Sequence, residues 1–236
     1  MDGGSTDGTI GIIKKYEKYF AHWESHKDSG QASAIKKGFR LSSGEILAYL
    51  NSDDVLFKDA LFYIADAFSQ NPCTEMIIGN SIEIDEYDQV LNLPWIMAPD
   101  YYSMLFWSAA AFSQAACFWR RKSYFKVGEI DETYKFCMDY DLFIRLAKKK
   151  KPKRLHKYLA AVRFHANRKT QTLLNVSAQE QNIIHNVYQR DRYGKLVAKV
   201  AETYYKNLVI NMNRINKYLH SFHLLPSKEW KAWWDQ

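Results

Sequence analysis

The sequence predicts an α/β fold in which a mainly parallel β-sheet is flanked by helices and followed by a helical C-terminal extension. Two observations support this prediction. Strand-like and helix-like patterns of apolar residues alternate along the chain, which is typical of a mainly parallel sheet. The chain has 236 residues, 47% of them apolar, which is enough for one α/β core with an extension.

The first part of the chain predicts three helices and two strands. Apolar residues recur at helical spacing after an amino-terminal turn, an Ala-rich segment forms a second helix, and a short apolar run forms a strand. The predicted elements are helix 6–20, a short strand near Trp23, helix 31–41, strand 45–50 and helix 58–68.

The second part predicts a hairpin, two further helices and two further strands before the extension. The predicted elements are hairpin strands 76–84 and 89–93, helix 101–107, strand 116–120, a helix starting near Asp139 and strand 160–164. From Ser177 onward the apolar spacing is helical. We therefore predict a main domain over residues 1–175 and a basic helical extension over residues 176–236.

The charge is distributed unevenly. Residues 1–147 carry 14 basic and 21 acidic side chains, whereas residues 148–236 carry 19 basic and 5 acidic ones, a net charge of +14. Basic and aromatic residues together suit a peripheral contact with an anionic membrane; the alternative is that the rings pack on the main domain. Nucleic acid is not expected as a partner, because no nucleic-acid-binding motif accompanies the charge. The residues concerned are Tyr218, Phe222, Leu224, Leu225, Lys228, Trp230, Lys231, Trp233 and Trp234.

The three cysteines show no disulfide or zinc-ligand spacing. Cys73, Cys117 and Cys137 are therefore predicted to be reduced thiols in a cytoplasmic protein. No signal peptide and no apolar run of about 18 residues is present. We expect a cytoplasmic protein whose membrane contact, if it has one, is peripheral at the inner face of the cell membrane.

Two adjacent carboxylates follow the predicted strand 45–50. The sequence runs directly from this apolar segment into Asn51-Ser52-Asp53-Asp54. Neighbouring carboxylates at a buried strand end repel each other and lose hydration, so a bound cation would offset their charge. The alternative is a helix N-cap, in which Ser52 or Asp53 opens the next helix and Asp54 is solvated.

Three other segments combine polar groups with a helix start. Residues 2–9, Asp-Gly-Gly-Ser-Thr-Asp-Gly-Thr, offer glycines, hydroxyls and backbone N–H groups to a polar ligand. Residues 27–39 form a glycine-containing loop that enters an Ala-rich helix. Residues 138–146 place Asp139 and Asp141 in a first helical turn, where the helix dipole favours acids. Each pattern alone also fits an ordinary helix start.

In this order and with these gaps, the four segments resemble the family 2 glycosyltransferases of the GT-A fold, which are inverting enzymes that use nucleotide-activated sugars. The Leu-Asn-Ser-Asp-Asp strand is similar to one branch of that family. Residues 114–121, 127–132 and 163–165 with Lys169-Thr170 add further agreement. The resemblance covers about residues 1–190 and implies transfer of a sugar to a glycan or lipid-linked acceptor in cell-surface polysaccharide biosynthesis.

The resemblance also implies which residues bind the donor and the metal. Mg²⁺ or Mn²⁺ would be held by Asp53, with Asp54 as a second carboxylate or a ribose contact. Asn51 stands where the family's Asp-x-Asp pattern has its first acid. The positions implied in binding the nucleoside diphosphate sugar are Asp2, Asp28, Gln31, Asn51, Asp54, His165 and Lys169.

Asp139 matches the family's general base, which takes the proton of the acceptor hydroxyl as that oxygen attacks. Base catalysis of this kind typically contributes ~10²–10⁴-fold to the rate. Asp141, two residues further along the same helix, is expected to be a structural cap.

The chain departs from the family at its amino terminus. The family normally has two strand-containing segments before the Asp-Gly-Gly-Ser turn, so about 30 residues of the fold, including its first strands, are expected to be absent here; their loss would leave unpaired ladder groups. The main alternative hypothesis is therefore a non-catalytic module that keeps part of the nucleotide pocket. A basic binder of lipid surfaces or nucleic acid is the third hypothesis.

Overall fold

The computed structural model describes residues 1–94, 96, 100–107, 112–166, 168–169, 173–188 and 195–221. Within these residues a six-stranded sheet is flanked by helices on both faces, and a helical part follows it. The predicted α/β class with a helical C-terminal part is confirmed.

The helices and strands overlap the predicted positions, but the first helix and the first strand are shorter than predicted, and the last strand begins earlier, at Lys153. The helices are α1 (Thr9–Tyr16), α2 (Gln31–Leu41), α3 (Ala60–Gln70), α4 (Tyr101–Trp107), α5 (Arg121–Val127), α6 (Met138–Lys149), α7 (Leu174–Val187) and α8 (Lys195–Ser221). The strands are β1 (Ile46–Leu47), β2 (Val55–Leu56), β3 (Met76–Ile84), β4 (Val90–Asn92), β5 (Cys117–Arg120) and β6 (Lys153–Arg163). The sequence did not predict α5 or β2, and the strand expected near Trp23 is a single parallel bridge between Asp2 and Ser25.

Pairing in the described part of the sheet is mixed. The strand order is β1-β5-β3-β6-β2, with β4 beside β3. The long pair β3–β6 is parallel, whereas β1–β5, β3–β5, β2–β6 and β3–β4 are antiparallel, which corrects the expectation of mainly parallel pairing. That expectation followed from the alternation of consecutive elements. Most neighbours in this sheet are not consecutive, so the alternation does not fix their direction.

The core occupies both faces of the sheet. One face packs against α2, α5 and α6 around the fully buried Trp119, and the other packs against α3 around Ile77 and Phe118. Gly79 of β3 is required where β3 and β6 approach closely, because any Cβ there would collide with Leu159. The buried centre of the sheet therefore supports the segments that leave its strand ends.

Helix α7 packs on the main domain rather than standing apart from it. Ile184 is buried, His185 Nε2 lies 2.9 Å from the Tyr140 hydroxyl, and Tyr188 packs against the same core. The domain boundary expected after residue 175 stays a prediction. It falls within a helix whose inner face belongs to this core.

The described helices include none that is long and apolar enough to cross a membrane. Helix α8 exposes Val200, Tyr204 and Ile215. Residues 222–236 and the side chain of Tyr218, on which the expected membrane contact depends, lie outside the described part. That contact stays a prediction.

A buried ion pair joins α6 to the segment that follows α5. Asp141 is 5% exposed, and its Oδ2 accepts hydrogen bonds from Arg145 Nε at 2.9 Å and Nη2 at 2.7 Å. Tyr188 donates to Asp141 Oδ1 at 2.8 Å. Arg145 also donates to the carbonyls of Val127 and Glu129, each at 3.0 Å. Asp141 therefore has a structural role, but as the partner of Arg145 and Tyr188 rather than as the helix cap that the sequence suggested.

Replacing Asp141 tests this role. In Asp141→Asn the Arg145 charge loses its partner at a mostly buried site, so the free energy of unfolding in urea should fall by about 3 kcal/mol or more. Glu86→Gln, at the exposed turn between β3 and β4, is the control and should change it by less than about 0.5 kcal/mol. An equally small effect of both substitutions would contradict the structural assignment.

Candidate active site

A cavity of about 1330 Å³ opens beside the segment that follows β1. Its walls also include the start of α2, the start of α6, the segment after β6 and residues of α7. The cavity is large enough for a ligand well above the size of a simple sugar. Six of the predicted site residues line it: Gln31, Asn51, Asp53, Asp54, Asp139 and Lys169.

Asp139 is the second residue of α6 and lines the cavity. Its carboxylate accepts hydrogen bonds from the backbone N–H of Tyr140, at 2.7 Å, and from the Tyr49 hydroxyl. Burial raises the pKa of Asp139 to about 6, although these hydrogen bonds and the charge of Lys169 lower it. The side chain is thus mostly ionised at neutral pH and suited to accept a proton.

Asn51 joins the segment after β1 to its surroundings. Its Nδ2 donates to Asp54 Oδ2 at 3.0 Å and to Gln114 Oε1 at 3.5 Å, and its Oδ1 accepts from Gln31 Nε2 at 2.9 Å. Gln114 Nε2 in turn donates to the carbonyl of Tyr49 at 2.6 Å. One set of hydrogen bonds therefore connects the Asp53-Asp54 turn to Tyr49, whose hydroxyl contacts Asp139.

The two neighbouring carboxylates are in different surroundings. Asp54 Oδ1 accepts a hydrogen bond from the backbone N–H of Arg163 at 3.0 Å, and Oδ2 accepts one from Asn51. Burial raises the pKa of Asp54, and the charge of Asp53 raises it further. Asp53 lines the cavity, and its Oδ2 lies 3.1 Å from His165 Nε2, which is outside the cavity wall. Asp54 thus fixes the turn to β6, and Asp53 is the carboxylate better placed for a ligand.

The donor atoms at Asp53 fit a magnesium or manganese ion. Such ions take oxygen ligands and usually combine one or two carboxylates with water and substrate phosphates. Asp53 offers a partly exposed carboxylate, whereas both oxygens of Asp54 are engaged by the protein. Among the described residues, no group of three or more His, Cys, Asp or Glu side chains forms a metal site. Any metal here would therefore depend on ligand oxygens.

Two cationic side chains line the cavity beside these carboxylates. Lys169 Nζ donates to Gln31 Oε1 at 2.8 Å and to the carbonyl of Lys135. Burial lowers the pKa of Lys169, and the charge of Asp139 opposes this shift. The Arg168 guanidinium lies 4.0 Å from the centre of the Phe164 ring. The positive charge is positioned to attract an anionic ligand group.

Asp2 and Asp28 lie outside the cavity wall, as does His165. Asp2 Oδ2 accepts hydrogen bonds from Ser25 Oγ at 2.6 Å and from the backbone N–H of Ser5 at 2.9 Å, and these bonds, led by that of Ser25, lower the pKa of Asp2. Asp28 Oδ1 accepts a hydrogen bond from the backbone N–H of Gly30 at 2.8 Å. Asp2 stabilises its own turn and joins it to Ser25, and Asp28 stabilises its own turn; the role of both carboxylates in nucleotide binding stays a prediction.

Neither Tyr49 nor Gln114 was predicted from the sequence to have a role in the site. Tyr49 precedes Asn51 by two residues, and in an extended chain that spacing places both side chains on the same face. The sequence therefore did contain a signal that could have identified Tyr49. Gln114 is separated from Tyr49 by 65 positions, and no local pattern indicates their contact.

Comparison with known proteins identifies the family. The model of glycosyl transferase family 2 matches residues 1–129. A PGL/p-HBAD biosynthesis glycosyltransferase of Mycobacterium bovis is 28% identical over 151 residues, which cover 61% of this chain and 56% of that protein. The poly-beta-1,6-N-acetyl-D-glucosamine synthase of Staphylococcus epidermidis is 32% identical over 82 residues, covering 34% and 20%. The chain thus spans about half the length of these relatives or less.

Solved structures give the same fold. S. aureus TarS 1-349 in complex with UDP-GlcNAc aligns with a TM-score of 0.64 at 14% identity, covering 99% of this chain and 68% of TarS 1-349. The complex of TarS 1-349 with UDP gives a TM-score of 0.55 at 14% identity, covering 74% and 52%. At this identity the likeness supports the fold alone. Because the family model matches more than half of its length, the chain belongs to glycosyl transferase family 2.

Proposed function

We propose that the chain carries the catalytic site of an inverting glycosyltransferase that uses a nucleoside diphosphate sugar. The observation that supports this most is Asp139, a carboxylate whose pKa is raised to about 6 and which lines one cavity with Asp53, Arg168 and Lys169. A base, a candidate metal ligand and cations for a diphosphate are the groups that this reaction needs.

The relatives indicate the class of donor and acceptor. TarS has been crystallised with UDP and with UDP-GlcNAc, and the named relatives act in PGL/p-HBAD biosynthesis or as a poly-beta-1,6-N-acetyl-D-glucosamine synthase. By analogy, the donor here is a nucleoside diphosphate sugar and the acceptor is a cell-surface glycan or a lipid-linked acceptor. Gln31 and Asn51 contribute amide groups to the same cavity wall.

The proposed reaction is a single displacement. An acceptor hydroxyl oxygen forms a bond to the anomeric carbon of the donor, its proton passes to Asp139, and the bond from that carbon to the diphosphate breaks. The nucleoside diphosphate leaves with the bonding electrons, so the configuration inverts. Arg168 and Lys169 stabilise the charge that develops on the diphosphate oxygens.

Asp53 is the proposed ligand of Mg²⁺ or Mn²⁺. When bound, such an ion supplies Lewis-acid stabilisation of the leaving diphosphate. Asp54 contributes by fixing the turn that presents Asp53, through its bonds to Asn51 and to the backbone of Arg163.

Asp139→Asn tests the base. The substitution keeps the size of the side chain and removes its basicity, so kcat should fall by ~10² or more while the affinity for donor changes little. Transfer would be measured with a panel of nucleoside diphosphate sugars beginning with UDP-GlcNAc, and affinity by calorimetry. Asp131→Asn, at an exposed turn outside the cavity, is the control. Comparable turnover in Asp139→Asn and the parent would mean that the base lies elsewhere.

Asp53→Ala tests the metal ligand. Calorimetric titration of UDP-GlcNAc with and without Mn²⁺ should show that Mn²⁺ strengthens donor binding in the parent and has no effect in the variant. Asp66→Ala removes an exposed carboxylate on α3 and should leave the Mn²⁺ effect intact. A full Mn²⁺ effect in Asp53→Ala would refute this assignment.

A further inference from the structure

Glu180 of α7 binds three consecutive backbone N–H groups. The side chain is buried, at 7% exposure. Its Oε1 accepts the N–H of Lys135 at 2.7 Å, and its Oε2 accepts those of Phe136 at 2.9 Å and Cys137 at 2.8 Å. A buried carboxylate needs such compensation, and hydrogen bonds to a charged acceptor are among the strongest that proteins make.

These N–H groups lie immediately before the candidate base. Cys137 is the N-cap residue of α6, where no side chain of the local sequence caps the helix. The N–H of this N-cap residue is one of the groups at a helix start that need partners outside the helix, and negative charge is favoured at this end; Lys135 and Phe136 belong to the segment that enters the helix. Glu180 supplies a carboxylate from another helix, and Asp139 follows Cys137 by two residues. Glu180 of α7 thus contacts the backbone where the chain enters α6.

The same segment also contacts the cation of the site. Lys169 Nζ donates to the carbonyl of Lys135, the first of the three residues that Glu180 holds. The charge of Glu180 raises the pKa of Lys169 and so opposes the effect of burial. Glu180 is therefore linked to Lys169 both through the backbone and through its charge.

We propose that Glu180 is a positioning residue for the sugar transfer, which fixes residues 135–137 and thereby sets Asp139 and Lys169 in place. This inference rests on the proposed function, because it assigns to Asp139 the role of base. Helix α7 lies in the segment expected as a C-terminal extension, so the proposal makes that segment part of the catalytic site. Glu180 acts through the backbone that it holds and through its charge on Lys169.

Glu180→Gln is the test. Glutamine keeps the shape but replaces one accepting oxygen with an NH₂ group, so at least one of the three N–H groups loses its acceptor. A displacement of the base by about 1 Å can reduce the rate ~10²-fold, so kcat should fall by ~10–10² while donor affinity stays within about twofold. Amide hydrogen exchange of residues 135–137, followed in the whole chain, should accelerate about tenfold or more.

His185→Gln is the matched control. His185 lies on the same helix, is 8% exposed and contacts the Tyr140 hydroxyl. The substitution His185→Gln should weaken the packing of α7 without accelerating amide exchange at residues 135–137. Equal losses of kcat in Glu180→Gln and His185→Gln would show that the loss comes from weaker packing of α7 and would overturn the proposal.

The experiment separates the two proposals. If the parent transfers sugar and Glu180→Gln keeps its kcat, the role of Glu180 is refuted while the proposed function stands. If the parent transfers no sugar from any donor, the proposed function fails. Unchanged amide exchange at residues 135–137 in Glu180→Gln would overturn the inference about Glu180. If Glu180→Gln does not fold, Glu180→Asp keeps the charge but shortens the reach, and it should show the same accelerated exchange.

Discussion

Burial of the Asp139 carboxylate is the constraint on which the site depends. Its pKa is about 6 in the fold, above the ordinary value of 3.8, so folding disfavours the ionised form. Between about pH 4 and pH 6 the folded state binds more protons than the unfolded state, and stability therefore falls as the pH rises through this window. At neutral pH the base is ionised and the fold carries this cost, which other interactions must offset.

Those other interactions converge on the helix that carries the base. Asp141 and Arg145 fix α6 to the segment after α5, and Tyr140 and Glu180 connect it to α7. On the opposite side of the cavity, Asn51 holds the turn that presents Asp53 and connects it through Gln114 to the backbone of Tyr49. The base and the candidate metal ligand are thus held by separate supports that meet at Tyr49.

The sequence predicts the parts of the site that are local. An apolar strand followed by two acids identified Asp53 and Asp54, and an acid in a first helical turn, together with the family resemblance, identified Asp139. Asp54 and Glu180 show why the remainder was not predictable. Asp54 turns inward because it meets the backbone of Arg163, 109 positions away, and Glu180 meets residues 43–45 positions before it. Strand direction was equally non-local, since α/β alternation describes consecutive elements and most sheet neighbours here are not consecutive.

The pH dependence of kcat/KM tests the central claim, that Asp139 is the base of sugar transfer, most directly. This parameter reports the ionisation of the free enzyme, so it should be constant near neutral pH and fall about tenfold per unit below pH 6. The His165 imidazole lies 3.1 Å from Asp53 Oδ2 on the side of the candidate metal ligand, and His165→Gln should keep the same acid limb. A profile that stays flat to pH 5, or an acid limb that disappears in His165→Gln, would contradict the account.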